Sequence, residues 1–185
     1  MMQGIAIAQP QKLLELLSTL SSVSERSRAA LRPGIATVQL QAVDLLAPRR
    51  AALSPDELLL LDRLQAEALA ATGKRAEALA AYAQLAKQNP TSGTVQEGYA
   101  TLLLAGEDST SLQQALDQWR IIAARSQPRT PRWYRAKHSV ARAQYRLGDK
   151  SSATTLLRYI LETPPGLAGS EWQQPFVELL QQCER

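Results

Sequence analysis

The chain contains 185 residues, of which 45% are hydrophobic and 21% charged, and it carries a formal net charge of +4 at pH 7. A chain of this length is expected to form one domain and to bury roughly 70% of its unfolded surface without disulfides or metals. Its single cysteine, Cys183, excludes an internal disulfide, and no apolar run approaches the roughly 18 residues that a membrane span requires.

Residues 1–9 are predicted to form a short tail, and they bear on localisation. The start, MMQGIAIAQP, lacks the basic residues and the long apolar core of a secretory signal, which favours a cytoplasmic protein. Ala6-Ile7-Ala8 nevertheless has the small-x-small shape of a signal cleavage site. The alternative is a secreted or periplasmic protein whose natural chain begins earlier.

Residues 10–48 are predicted to form an N-terminal helical hairpin. Pro10 begins a helix with an apolar leucine side, and this helix is expected to run on toward Leu31. Pro33-Gly34 then breaks it, and a second helix runs to Pro48.

An alanine, a large residue four positions later, an aliphatic residue three beyond and a closing proline recur four times. The copies are Ala36/Leu40/Val43/Pro48, Ala78/Tyr82/Leu85/Pro90, Ala115/Trp119/Ile122/Pro128 and Ala153/Leu157/Ile160/Pro165. Such a step is typical of the buried stripe of an α-helix, and its return about every forty residues predicts stacked helical hairpins.

In three copies a first helix precedes this stripe and ends in glycine. The small residue of that helix stands six or seven places earlier, as Ala66 before Gly73, Ala100 before Gly106 and Ala141 before Gly148. We expect these alanines at close helix crossings, and we expect the glycines to turn the chain in the left-handed conformation.

Three helix starts agree with this phase. Ser54-Pro55-Asp56-Glu57 combines a serine cap, a first-turn proline and a glutamate placed to bond back to the cap amide. Ser111 with Gln114 has the same capping-box spacing, and Thr130-Pro131 opens the following helix.

These units resemble the tetratricopeptide repeat (TPR), which has about 34 residues, small contact residues and a terminal proline. The best copies run from Leu64 to Pro90 and from Trp133 to Pro165, and Asp108 to Ser111 is an insertion in the middle unit. The resemblance implies an all-α fold, an α-α superhelix or TPR-like solenoid. It comprises three clear repeats, at 54–90, 91–128 and 130–165, after a degenerate N-terminal hairpin. The style of the repeats also suggests a bacterial source.

Residues 166–185 are predicted to form a C-terminal capping helix. It should begin near Ser170, or near Gln174 if Pro175 lies in its first turn. One helical face, which should cover the exposed end of the last repeat, carries Trp172, Phe176, Leu179 and Cys183. The cysteine is then a buried filler rather than a reactive thiol.

The sequence offers no set of residues suited to catalysis. His138 is the single histidine, which excludes a two-histidine metal site. Both common glycine motifs for phosphate binding are missing, and the carboxylates are spread over separate predicted helices. We therefore predict a non-enzymatic protein with no catalytic residues, no cofactor and no metal.

The TPR resemblance implies a concave partner-binding groove lined by the first helix of each hairpin. Aligning the contact alanines puts nine residues on that lining: Arg63, Glu67, Thr94, Glu97, Thr101, Arg135, His138, Arg142 and Arg146. The range 125–150 holds eight basic residues against one acid. Its natural guest is an extended acidic peptide or a terminal carboxylate of a protein partner, and the alternative is a solvated face.

Two other functions stay open. Trp133, Tyr134 and Tyr145 among these arginines would suit nucleic-acid binding, although aromatic rings at helical spacing usually pack between hairpins. The chain could also be a structural subunit of a larger assembly. The carboxylate clamp of some TPR proteins is incomplete here, because Glu67, Gly98 and Ser139 replace its asparagine or arginine residues.

Overall fold

Helices account for most of the chain in a computed structural model that describes residues 10–26, 29–163, 167 and 169–185. The α-helices are α1 Pro10–Arg26, α2 Arg32–Leu46, α3 Pro55–Ala71, α4 Arg75–Gln88, α5 Gly93–Leu104, α6 Ser109–Arg125, α7 Pro131–Arg146, α8 Lys150–Glu162 and α9 Gln173–Glu184. Short 3₁₀ segments, Ala29–Leu31 and Ala47–Ala52, flank α2. These described ranges contain no strand, so the predicted all-α class is confirmed.

The chain divides into two compact units, Met1–Pro90 and Thr91–Arg185. In the first unit α1 packs on α2 and α3, α2 packs on α3, and α3 packs on α4. In the second unit each helix from α5 to α8 packs on the next, and α9 packs on both α8 and α7. No helix within the described ranges is long and apolar enough to cross a bilayer. The predicted tail with its Ala6-Ile7-Ala8 signal motif lies outside those ranges.

The predicted alanine stripe is buried. The stripe alanines Ala36, Ala78, Ala115 and Ala153 and the contact alanines Ala66, Ala100 and Ala141 are all 0% exposed. The large residue of the stripe is also buried in three copies, as Tyr82, Trp119 and Leu157, whereas Leu40 is half-buried. Small side chains therefore sit where helices approach most closely, and large ones fill the space beside them.

Two of the three turn glycines adopt the expected conformation. Gly73 has φ 82° and Gly148 has φ 87°, the left-handed region that a side chain disfavours. The prediction is wrong at Gly106, which has no positive φ. There α5 ends through Ala105 in right-handed helical geometry, and Gly106 N–H donates to the Leu103 carbonyl.

The N-terminal hairpin differs from its prediction in its turn. The first helix ends at Arg26 and does not run on toward Leu31. Pro33-Gly34 lies in the first turn of α2 and does not separate two helices. Proline suits that turn because its missing N–H would have no intrahelical partner there.

The helix caps are confirmed at two of three starts. Ser54 Oγ accepts from Glu57 N–H at 3.4 Å, while Glu57 Oε2 accepts from Ser54 N–H at 2.8 Å. Thr130 Oγ1 accepts from Trp133 N–H at 3.3 Å at the start of α7. The Ser111 cap is wrong, because Asp108 Oδ1 caps α6 by accepting from Ser111 N–H at 2.7 Å. Three of the four residues of the predicted insertion thus belong to α6.

The last helix covers one end of the second unit. It begins at Gln173 with Pro175 in its first turn, so the later of the two predicted starts is the better one. One buried cluster joins α7, α8 and α9: Ala141, Ala153, Leu157, Ile160, Leu167, Phe176, Leu179 and Cys183. Burial raises the pKa of the Cys183 thiol, which keeps the thiol protonated and supports its interpretation as a filler.

Candidate interaction surface

The nine residues of the predicted groove lie on three helices. Arg63 and Glu67 belong to α3 in the first unit. The second unit holds the other seven, with Thr94, Glu97 and Thr101 on α5 and Arg135, His138, Arg142 and Arg146 on α7.

In the first unit Arg63 and Glu67 form an ion pair within α3, four residues apart. Glu67 also accepts a hydrogen bond of 3.0 Å from Ser21 Oγ of α1. Both side chains are partly buried, at 25% and 30% exposure. Much of the charge and hydrogen-bonding capacity of Arg63 and Glu67 is therefore satisfied by contacts within the first unit.

Tyr82 belongs to the same polar cluster. It comes from α4, it is buried, and burial followed by the neighbouring Glu67 carboxylate raises the pKa of its phenol. The phenol is therefore neutral across the physiological range. The sequence stripe predicted Tyr82 as core, which is correct, but carried no sign of the polar neighbours at its hydroxyl end.

In the second unit Glu97 of α5 forms ion pairs with two arginines of α7. Arg132 Nε lies 2.7 Å from Glu97 Oε1, and Arg135 Nη1 lies 3.2 Å from Oε2. The Glu97 side chain is only 18% exposed, whereas the two arginines are 44% and 57% exposed. One carboxylate thus meets two guanidinium groups, and the cluster keeps a net positive charge.

Arg132 was not among the predicted groove residues, although it belongs to the basic run. Its guanidinium lies over the first residue of α5, where a Cβ added to Gly93 would stand 2.5 Å from Nη2. A glycine at this position lets the arginine approach the backbone beside Glu97. The three-residue spacing of Arg132 and Arg135, which puts both on one helical face, was the available signal.

Arg146 hydrogen-bonds to backbone carbonyls at the C-terminal end of α5. Its guanidinium donates to the Leu104 carbonyl and, through Nη2 at 2.6 Å, to the Gly106 carbonyl. Carbonyls at a helix C-terminus lack intrahelical partners and carry partial negative charge, so a cation is well placed there. Arg146 therefore has a structural contact, which reduces its availability to a partner.

Arg142 differs from the other three arginines of this face. It is exposed, and within the described residues its guanidinium makes no hydrogen bond or ion pair. Thr94 and Thr101 of α5 are also exposed. The exposed N–H donors that lack a partner thus belong mainly to Arg142. Arg135, on the same face, already pairs with Glu97.

His138 packs against α9. Its ring lies 5.4 Å from the Phe176 ring at an angle of 57°, and it hydrogen-bonds the Pro175 backbone carbonyl. Burial, followed by the positive charge of Arg142, lowers the pKa of the imidazole. The neutral form is therefore the main one at pH 7, and its contacts tie α7 to the last helix.

The aromatic residues among the arginines pack inside the unit. Trp133 meets Tyr134 edge-on at 5.1 Å, and Tyr134 meets Phe176 edge-on at 6.3 Å. Lys137 Nζ lies 5.4 Å from the Trp133 ring centre, and Lys150 Nζ lies 5.8 Å from that of Tyr145. All three rings are partly buried against the α7–α9 core. They do not form an open platform on which bases could stack.

Comparison with solved structures identifies the fold. No protein-family model and no curated protein sequence matches the chain. The chain is similar to a crystal structure of nearly identical TPR-like repeats of a kinesin light chain type from Podosopora anserina, with a TM-score of 0.65 and 18% identity over 96% of each chain. A Gln-to-Met variant of those repeats matches equally well, over 96% of this chain and 95% of the other. The bacterial source stays a prediction. The chain therefore has a TPR-like helical-repeat fold, as its alanine stripes predicted.

Proposed function

We propose that this chain is a non-enzymatic scaffold that binds an extended acidic peptide of a partner protein. In the second unit the binding region is the α5–α7 surface, which we define by Thr94, Glu97, Thr101, Arg135 and Arg142. The observation that carries the proposal is Arg142, an exposed guanidinium with no partner in the described residues, on the same helical face as Arg135. Guanidinium groups bind carboxylates through two parallel hydrogen bonds, which favours acidic guests.

The charge balance of the α5–α7 surface supports the same guest. Glu97 is already engaged by Arg132 and Arg135, so it offers little to a basic partner. The net positive charge left over attracts anions over a distance of about 8–10 Å at physiological salt. In the first unit Arg63 and Glu67 stay predicted partner-binding residues of that unit, and their mutual ion pair leaves them little free charge for a partner.

Fluorescence anisotropy with a labelled oligoglutamate peptide tests the proposal. We expect binding that weakens as salt rises, and a further loss of about tenfold in the Arg142→Glu variant, because an attractive contact becomes a repulsive one. Lys87→Glu makes the same charge change on α4 of the first unit and should bind as the unaltered chain does. Equal binding by the unaltered chain and Arg142→Glu would contradict the assignment of this surface.

The two alternative functions are separated by an RNA probe in the same anisotropy assay and by affinity capture. A single-stranded RNA probe that binds more tightly than oligoglutamate would favour the nucleic-acid function. Affinity capture from the source cell, with Arg142→Glu as the comparison, would name a partner. Capture of a stable assembly that survives Arg142→Glu would favour the structural-subunit function.

A further inference from the structure

The two ion pairs of Glu97 differ in length and in exposure. Arg132 Nε lies 2.7 Å from Oε1, whereas Arg135 Nη1 lies 3.2 Å from Oε2, so each arginine meets its own carboxylate oxygen. Arg135 is also the more exposed of the two arginines, at 57% against 44%. Water and salt screen an exposed ion pair, and such a pair adds little stability. Glu97 can therefore release Arg135 more easily than Arg132.

Packing on α5 also holds Arg132 in place. Its guanidinium lies against the backbone of Gly93, where an added Cβ would stand 2.5 Å from Nη2 and 2.8 Å from both Cζ and Nη1. The same side chain reaches Glu97 through Nε. Because the Glu97 side chain is only 18% exposed, its carboxylate would be costly to leave without a partner. Arg132 supplies that partner when Arg135 leaves.

Arg142 offers an acidic guest its first contact. It is exposed, and its guanidinium makes no hydrogen bond or ion pair in the part of the chain that the structure describes, so nothing there competes for it. Arg135 lies seven residues earlier on the same face of α7, which corresponds to about 10 Å along the helix axis. A peptide bound at Arg142 holds its next acidic group near Arg135 at a local concentration on the order of millimolar. That tethered acid can compete with Glu97 for Arg135.

We propose that Glu97 is a built-in competitor of the acidic guest, and that this competition selects peptides with more than one acidic residue. The inference rests on the proposed function of the α5–α7 surface. One carboxylate of the guest pairs with Arg142. A second carboxylate takes Arg135 from Glu97, while Arg132 keeps Glu97 paired. A guest with a single carboxylate binds at Arg142 and leaves the pair between Glu97 and Arg135 in place, so it gains one contact instead of two.

Removal of the competitor tests this inference in the anisotropy assay with labelled oligoglutamate. Glu97→Gln should tighten binding about threefold, because Arg135 no longer has to leave a carboxylate. In the Arg135→Gln background the same change should have almost no effect, because the arginine that Glu97 would release is gone. Asp117→Asn is the matched control: it removes an acid of the same unit that pairs with Arg120, and it should leave binding unchanged.

The outcomes separate this inference from the proposed function. No gain in Glu97→Gln would overturn the inference, and so would an equal gain with and without Arg135, which would assign the gain to general charge or to Arg132. In both cases the proposed function stands as long as Arg142→Glu still weakens binding. Equal binding by the unaltered chain and Arg142→Glu would overturn both.

A second probe tests the selection for several acids and does not depend on how well Glu97→Gln folds. It is an alanine peptide with one glutamate, and its binding is measured by competition against labelled oligoglutamate. Arg135→Gln should weaken oligoglutamate about threefold and leave the single-acid peptide unchanged, because only oligoglutamate reaches Arg135. Arg120→Gln makes the same charge change on α6 and should leave both probes unchanged. Equal losses of the two probes in Arg135→Gln would overturn the inference.

Discussion

The two units use charged residues on their first helices in different ways. In the first unit Arg63 and Glu67 neutralise each other within α3. In the second unit the arginines of α7 reach the neighbouring hairpin, where they meet Glu97 and the C-terminal carbonyls of α5. A pair within one helix leaves no excess charge, whereas two arginines on one glutamate leave a positive surface. Similar residue types thus give a closed cluster in one unit and a candidate binding surface in the other.

The units also differ in how their apolar faces are covered. In the second unit α9 covers α7 and α8 with Phe176, which is 0% exposed. In the first unit large apolar side chains of α1 and α2, among them Leu16 and Leu45, are more than half exposed. Loss of a buried side chain such as Phe176 should therefore cost more stability than loss of an exposed one such as Leu45.

The largest expected effect comes from truncating the fully buried Phe176 of α9. Phe176→Ala should lower the free energy of unfolding by about 3–5 kcal/mol, since it empties a fully buried site between α7, α8 and α9. Leu45→Ala, at an exposed position of α2, should change it by no more than about 0.5 kcal/mol. Urea unfolding followed by circular dichroism measures both. Equal losses would show that α9 does not anchor the second unit.

The next effect concerns the contact between α7 and the end of α5. Arg146→Ala should cost about 1–3 kcal/mol, because the Leu104 and Gly106 carbonyls lose their donor. Arg142→Ala, one turn earlier on α7, should cost no more than about 0.5 kcal/mol, since it breaks no contact in the described residues. Thermal unfolding of the two variants gives the comparison. A larger cost for Arg142→Ala would contradict the proposed availability of Arg142.

A smaller effect compares the ion pairs of Glu97 in the second unit with the Arg63–Glu67 pair in the first. Glu97→Gln removes the carboxylate that holds two arginines and should cost about 1 kcal/mol, less at high salt. Arg63→Gln breaks the pair within α3 and should cost about 0.3–0.5 kcal/mol. Unfolding at low and high ionic strength measures both terms. A cost for Glu97→Gln that salt does not change would indicate that packing, rather than charge, holds Arg132 and Arg135.

The smallest effect is a pH dependence at the contact between α7 and α9. The pKa of His138 is lower in the folded chain than its usual value of about 6.5, so the unfolded chain binds more protons just below that pH. Stability should therefore fall as pH decreases from about 6.5 toward the lowered pKa, and it should be constant above about 7. Because the chain has one histidine and carboxylates titrate lower, this window reports His138. In the His138→Gln variant the melting temperature should no longer depend on pH within this window. An unchanged slope of melting temperature against pH would contradict the assignment.

Most of the fold could be predicted because its signals are local. The buried stripe of Ala78, Tyr82 and Leu85 follows from the 3.6-residue period, and the caps at Ser54 and Thr130 depend on residues at most three apart. The wrong predictions at Ser111 and Gly106 have local causes. At Ser111 an aspartate three residues earlier was the better cap, and at Gly106 an α5 ending in right-handed geometry needed no left-handed residue.

Much less of the candidate site could be predicted. The sequence placed Arg135, Arg142 and Arg146 on one face of α7, and it predicted a basic surface there. It carried no sign that Arg146 would bind the carbonyls of α5 or that His138 would pack on Phe176, because those contacts join residues about forty positions apart.

The sequence by itself determined the helical hairpins, their phase and the small residues at their crossings, since helix periodicity and capping act over a few neighbouring positions. Only the tertiary structure decided which charged groups neutralise one another and which stay exposed. Glu97 lies 35 residues from Arg132 and 38 from Arg135, so their pairing depends on how α5, α6 and α7 pack, and that packing leaves Arg142 exposed without an ion pair in the described residues.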